Sequence, residues 1–244
     1  MSTKAYLGYR ASLDWLAGVA EVVTARPGLA DAVTVFVAPS FPVLESAGRI
    51  LAGTGVVLGA QNCGEQGGAF TGEVSAEFLA ELGVGLVEIG HAERRRLFGE
   101  TDAVVARKTA AAAGAGLTSL LCIGEAERGS PADAAEFCFA QVLSALADQV
   151  PLSSAVIAYE PEWAIGAAES ASPDYANDVV DRLRERLAGA TGERASIIYG
   201  GSAKPGLLPR LAGVDGLFLG RFAHDPAQLA LVLDEALARS SLGG

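Results

Sequence analysis

Histidine is nearly absent from the chain: His91 and His224 are the only two in 244 residues. A centre that binds metal through several imidazoles would have too few ligands, and neither a metal nor an organic cofactor is expected. Cysteine is equally scarce. Cys63, Cys122 and Cys138 are odd in number and widely spaced, with no Cys-x-x-Cys pair, which argues against a disulfide framework and against a thiolate zinc site. Long apolar runs are missing as well, so no segment is expected to span a bilayer. The opening residues Met1-Ser2-Thr3-Lys4-Ala5-Tyr6 lack the basic start and apolar block of a secretory signal. The expectation is a cytoplasmic protein with reduced thiols. Positive charge is in deficit, with 18 Lys and Arg against 29 Asp and Glu, a net charge of −11. That balance disfavours nucleic acid or an anionic membrane as a partner. A small anionic ligand would need a local positive site inside a negative molecule.

What is present is a regular alternation. Half of the residues are hydrophobic, enough to bury one substantial core, and no Pro/Ser-rich linker or charge block divides residues 1–244, which read as one domain. Short aliphatic runs occur at Ala5–Gly8, Val33–Ala38, Val56–Ala60, Leu86–Ile89, Thr118–Ile123, Ala155–Tyr159, Ser196–Tyr199 and Gly216–Leu219. Between them lie stretches such as Asp102–Ala113, Ala132–Gln149, Asp174–Leu187 and Pro226–Ala238, whose apolar residues recur at helical spacing. Eight such pairs in about 250 residues suit a closed (β/α)8 TIM barrel. An open doubly wound sheet would want a glycine fingerprint after its first strand, and Gly8-Tyr9-Arg10-Ala11-Ser12 is not one.

In a barrel of this kind chemistry is sought just past the strand ends. Strand four runs into Gly90-His91-Ala92-Glu93, strand six into Glu160, strand seven into Gly200-Gly201-Ser202, and strand eight into Gly220-Arg221. A carboxylate followed by Pro161-Glu162-Trp163-Ala164-Ile165-Gly166 suggests a base under a hinged lid, an arrangement that keeps water from an unstable anion. Taken alone, Glu160 is equally well an acidic loop tip. His91 at the start of a helical turn would be held neutral by the unpaired backbone N–H groups there and could donate to a carbonyl oxygen, although a lone histidine is more often structural. Tyr199-Gly200-Gly201-Ser202 could admit a phosphate against free backbone N–H groups or simply make a tight turn.

The motifs GHAERR at 90–95, FGET at 98–101, CIGE at 122–125, AYEPEWAIG at 158–166 and YGGSAKP at 199–205 resemble those of triosephosphate isomerase. AQN at 60–62 and GAFTGE at 68–73 are also similar, and all occur in the family's order across nearly the whole chain. The resemblance implies Glu160 as the base moving a proton between adjacent carbons of a small phosphorylated sugar, and His91 as the electrophile on its carbonyl oxygen. Triosephosphate isomerase is itself the standard instance of a glutamate base with a neutral histidine, so these roles come with the resemblance. It further implies a lid over 161–168 that includes Gly166, a phosphate cradle of Gly200, Gly201, Ser202 and Gly220, and Glu93 in support. It implies, too, a homodimer in which the loop Gln66–Glu73 brings Thr71 near the partner's site.

Some positions depart from the family pattern. Ungapped matching from Gly8 puts Arg10 at the family's asparagine and Ser12 at its lysine, so the lysine is missing on this alignment. Arg10, long enough to reach the same place, is expected to replace it, binding phosphate through a forked guanidinium. Ala92 stands where the family has serine, Arg221 where it has a second glycine, and Ala167-Ala168-Glu169 where the lid ends in Thr-Gly-Lys. Arg221 then either adds a cation at the phosphate end or forms an ion pair at the rim. Kept proton-transfer groups with altered charge groups imply an isomerase acting on triose phosphate or, alternatively, on a four-carbon ketose phosphate. A barrel that binds a phosphometabolite without turnover and a purely structural dimer are the competing readings.

Overall fold

The computed structural model describes residues 1–147, 150–166 and 170–242. Among them a parallel sheet runs in sequence order through β1 (Phe36–Val37), β2 (Val57–Ala60), β3 (Leu86–Ile89), β4 (Thr118–Ile123), β5 (Ala155–Tyr159), β6 (Ser196–Tyr199) and β7 (Gly216–Leu217). The register pairs Leu86 with Thr118, Ser119 with Ala155 and Val156 with Ser196. Strand boundaries from β3 to β6 coincide with the aliphatic runs read from the sequence, because strands covered on both faces favour nearly continuous apolar side chains.

The first expected strand is corrected. Ala5–Gly8 does not pair with the sheet: Lys4 and Ala5 form a turn, closed by the Tyr6 N–H donating to the Thr3 carbonyl at 3.2 Å. The sheet is instead closed by residues 1–3. Ser2 bridges Ala38 in parallel, the Ala38 N–H donates to Met1 O at 2.7 Å, and the Ser2 N–H donates to Leu219 O at 3.1 Å. This segment therefore bonds both to the chain just past β1 and to the chain just past β7, completing the (β/α)8 barrel. It escaped notice because Met1-Ser2-Thr3 has no apolar run, and its conformation comes from the strand ends it joins.

Helices cover the outside. α1 (Tyr9–Thr24) buries Trp15, Leu16, Val19 and Val23 on one stripe, and the Trp15 indole donates to Ala223 O at 2.8 Å. α2 (Leu29–Ala32), α3 (Leu44–Ile50) and α4 (Ala76–Glu81) precede β1, β2 and β3 respectively. The short α5 (Ala92–Phe98) follows β3 directly and leads into α6 (Asp102–Gly114). α7 (Pro131–Leu146) and α8 (Pro173–Thr191) each begin with serine at the cap and proline in the first turn, the pairing that satisfies free N–H groups where proline's missing donor costs nothing. α9 (Pro226–Leu242) packs on α1. Inside the barrel, Leu86, Leu120, Cys122, Ala158, Ile198 and Phe218 form a separate apolar cluster. Strand alternation puts Glu88 on the same inward face as Leu86.

Candidate active site

A cavity of about 480 Å³ opens where the strands end. Its wall includes Lys4, Ala92, Glu93, Glu160, Gly166, Gly200, Ser202, Gly220 and Arg221, so the loops after β3, β5, β6 and β7 meet there as the barrel topology requires.

His91 caps α5. Its Nδ1 accepts the backbone N–H of Glu93 at 3.1 Å, so the neutral ring carries its proton on Nε2. That Nε2 lies 3.7 Å from Glu160 Oε2. Burial, seconded by the Lys4 ammonium, pushes the His91 pKa down to about 4, which keeps the imidazole neutral at physiological pH.

Glu160 is the first residue past β5, tied to β4 by its N–H donating to Ile123 O at 2.8 Å. Two glycines make room for it. A Cβ at Gly200 would sit 2.6 Å from Glu160 Oε1, and one at Gly124 would overlap the Glu160 carbonyl. The carboxyl is nearly sealed, 6% exposed. Burial first and the nearby Glu88 carboxylate second raise its pKa to about 8, into the range where a carboxylate is a useful base near neutrality.

Lys4 lines the cavity, at the place where Arg10 was expected. Lys4 has φ +47°, an uncommon value for a residue with a side chain, and the turn there directs the side chain into the cavity wall. Its Nζ is 2.7 Å from Glu93 Oε1, and its carbonyl accepts the Ser40 hydroxyl and the Gln61 amide, each at 3.0 Å. Burial opposes the charge on Glu93, yet the Lys4 ammonium holds its pKa below the usual carboxylate value. Arg10 lies exposed in the first turn of α1 and is not among the residues lining the cavity, while Ser12 is buried in that helix with its N–H on Gly8 O. Counting from Gly8 misplaced both, since Gly8 is the cap of α1 and lies beyond the strand.

Residues 1–236 match the family model described as triosephosphate isomerase. The chain belongs to the triosephosphate isomerase family. It is 48% identical over 248 residues to L-erythrulose-1-phosphate isomerase of Pectobacterium atrosepticum, an alignment covering 99% of this chain and 96% of that protein. It is 42% identical over 210 residues to triosephosphate isomerase of Alcanivorax borkumensis, covering 82% and 85%. The crystal structure of triosephosphate isomerase from Bartonella henselae superimposes with a TM-score of 0.81 at 27% identity, covering 97% of each chain. The chain is thus a sugar-phosphate isomerase by family.

The glycine-loop positions and Arg221 fall around the same cavity. Gly166, with φ +72°, and Gly200, Ser202, Gly220 and Arg221 line it. Gly201 lies behind them, where a Cβ would sit 2.5 Å from Tyr199 Oη. Ser202, at φ +51°, donates to Ala164 O at 2.8 Å. Two bonds hold the described residues around the expected lid. The Trp163 indole donates to Glu125 Oε1 at 2.9 Å on one side, and the Ala171 N–H donates to Tyr199 Oη at 3.0 Å on the other. Positions 167 and 168 of the expected lid, and Glu169 after them, lie outside the described residues. Thr71 and residues 66–73 are exposed and not among the residues lining the cavity. Arg221 sits at the rim, its guanidinium 5.7 Å from the Tyr6 ring centroid, and takes part in none of the described ion pairs. Sequence reading missed Ser2, Lys4, Tyr6, Arg96 and Lys204 as cavity residues. Lys4 was findable from the bare fact that it is the one cation preceding α1.

Proposed function

We propose that the protein moves a proton between adjacent carbons of a short phosphorylated ketose through an enediolate. Glu160 takes the proton from the carbon beside the carbonyl, and His91 donates its Nε2–H to the carbonyl oxygen. Lys4 stabilises the negative charge that develops, Glu160 returns the proton to the neighbouring carbon, and His91 recovers its proton from that carbon's hydroxyl, so that the new carbonyl forms there and the old one ends as a hydroxyl. The observation that carries this is the approach of a buried, high-pKa carboxylate to a neutral imidazole, 3.7 Å apart, beside a cavity lined by a lysine. The glycines at 166, 200, 201 and 220 with Ser202 and Arg221 form the phosphate end, where backbone N–H groups and a fork-shaped cation suit a dianion.

Two substrate readings fit the same machinery: the pair glyceraldehyde 3-phosphate and dihydroxyacetone phosphate, and a four-carbon pair of the L-erythrulose 1-phosphate and D-erythrulose 4-phosphate type. The second is favoured by the Pectobacterium relative, 48% identical over nearly the whole of both chains, and by Ala92, whose small side chain faces the cavity. Proton NMR in deuterium oxide tests the reading directly. The protein is expected to exchange a carbon-bound proton of at least one of these four sugar phosphates for deuterium. Binding of all four with no exchange would make it a phosphosugar-binding protein instead.

The working unit is a homodimer joined through the exposed loop 66–73, with Thr71 reaching the partner's cavity. Exposed Phe70 in that loop and Phe78 on the following α4, 44% and 55% accessible, are the apolar surface such a contact would cover. Sedimentation is expected to give twice the 24.8 kDa chain mass, and a monomer fully active in the same buffer would refute the dimer.

A further inference from the structure

Glu88 has no role in the chemistry described so far, yet it lies in its midst. It is 4% exposed, points into a barrel interior otherwise filled by Leu86, Leu120, Cys122, Ala158, Ile198 and Phe218, and its Oε1 is 3.9 Å from His91 Nε2. Burial raises its pKa to about 7, partly offset by the neighbouring Ser2 hydroxyl and the Lys4 ammonium. A carboxyl sealed among apolar side chains is costly unless something bonds to it. Among the described residues, Glu88 Oε2, Ser2 Oγ, His91 Nε2 and Glu160 Oε2 are all buried with no hydrogen bond of normal geometry. The proton transfer uses two of these four atoms, His91 Nε2 and Glu160 Oε2. The other two belong to adjacent side chains, and Ser2 itself lines the cavity.

We propose that Ser2 and Glu88 are specificity-determining groups that together receive a hydroxyl on the substrate's phosphate-free end, so that the site selects a ketose phosphate bearing a hydroxymethyl group beyond the reacting carbons. This rests on the isomerase reading above and names which residues choose its substrate. A substrate hydroxyl both donates and accepts, as do a serine hydroxyl and a carboxyl that can hold a proton, so the three satisfy one another. A triose phosphate, with an aldehyde hydrogen in that place, offers Ser2 and Glu88 no partner beyond each other. A site built to bond a hydroxyl discriminates strongly against the analogue that lacks it, whereas extra apolar volume alone discriminates weakly.

The test is the ratio of kcat/KM for L-erythrulose 1-phosphate to that for dihydroxyacetone phosphate, measured on the wild type, Ser2→Ala, Glu88→Gln and Glu88→Leu. Wild type is expected to favour the four-carbon substrate by about 100-fold or more. Ser2→Ala and Glu88→Leu should each lower the ratio at least about tenfold, with Glu88→Gln, which keeps hydrogen-bonding atoms, lying between. Binding of 2-phosphoglycolate, which has a phosphate and a carboxylate but no hydroxymethyl group, reports whether each variant keeps its phosphate and enediolate contacts. If Glu88→Leu fails to fold, Ser2→Ala and Glu88→Gln carry the same reading. A wild type that favours the triose, or variants that lose both substrates and 2-phosphoglycolate by one common factor, would overturn the proposal and leave Glu88 as a support for His91. Turnover of at least one sugar phosphate with a ratio insensitive to all three variants sinks this inference alone. No turnover of any by the wild type sinks the isomerase reading and the inference with it.

Discussion

Glu160→Gln is expected to lower kcat by about 10³-fold or more, a loss of about 4 kcal/mol of transition-state stabilisation. Glutamine keeps the shape that Gly200 and Gly124 accommodate, so the variant should fold and still bind 2-phosphoglycolate, and the loss should appear in kcat more than in KM. The same carboxyl sets a pH dependence. A base works ionised, and burial together with Glu88 has pushed the Glu160 pKa up to about 8. The value of kcat/KM for the free enzyme should therefore rise with pH through that region and level off above it. The substrate phosphate titrates near about 6, low enough to leave a separate limb. His91, at about 4, titrates below both and remains neutral throughout. An acid limb at the ordinary carboxylate value near 4.5, or a Glu160→Gln variant within about tenfold of wild type, would remove Glu160 from the role of base.

The second large effect separates two cations. Lys4→Met should reduce kcat/KM by about 10²–10³-fold, because it deletes the charge facing the developing enediolate in a site poor in water and leaves Glu93 without the ammonium 2.7 Å away. Arg10→Ala should change it by less than about threefold, since exposed side chains far from special features contribute little. Lys4→Arg is expected to recover part of the loss: its charge is kept, but a planar fork does not fit where an ammonium makes a single close contact to Glu93. Steady-state kinetics on whichever sugar phosphate shows exchange decides the matter. If Lys4→Met stays within about tenfold of wild type, or Arg10→Ala loses more than about tenfold, the charge role returns to Arg10.

Much of the site was legible because its residues sit at fixed offsets from apolar runs. Glu160 follows Ala155–Tyr159 and His91 follows Leu86–Ile89, and in each case the strand ends where the run ends. Gly200, Ser202, Gly220 and Arg221 line the cavity because each lies just past the end of a strand. Lys4 was not legible in that way. The segment that carries it has no apolar run, joins the sheet through backbone hydrogen bonds and the side chains of Ser40 and Gln61, and turns at a positive φ that no side-chain pattern announces. Glu88 was hidden for the opposite reason: inside the run Leu86–Ile89 it reads as one polar residue in an apolar strand, and only the closed barrel shows that it faces His91.

The sequence by itself therefore determined the alternation of strands and helices, the family, and the order in which base, electrophile, lid and glycine loops arrive, because local propensity and burial act on neighbours along the chain. Tertiary structure alone decided that Lys4, not Arg10, lines the cavity and which polar atoms meet at its floor. Those involve Ser2, Lys4, Glu88, Glu93 and Glu160, residues of segments far apart in sequence that hydrogen bonding across the closure between the first and last strands brings together, and the pKa shifts of Glu160 and His91 arise from that burial first and from the neighbouring Glu88 and Lys4 charges second.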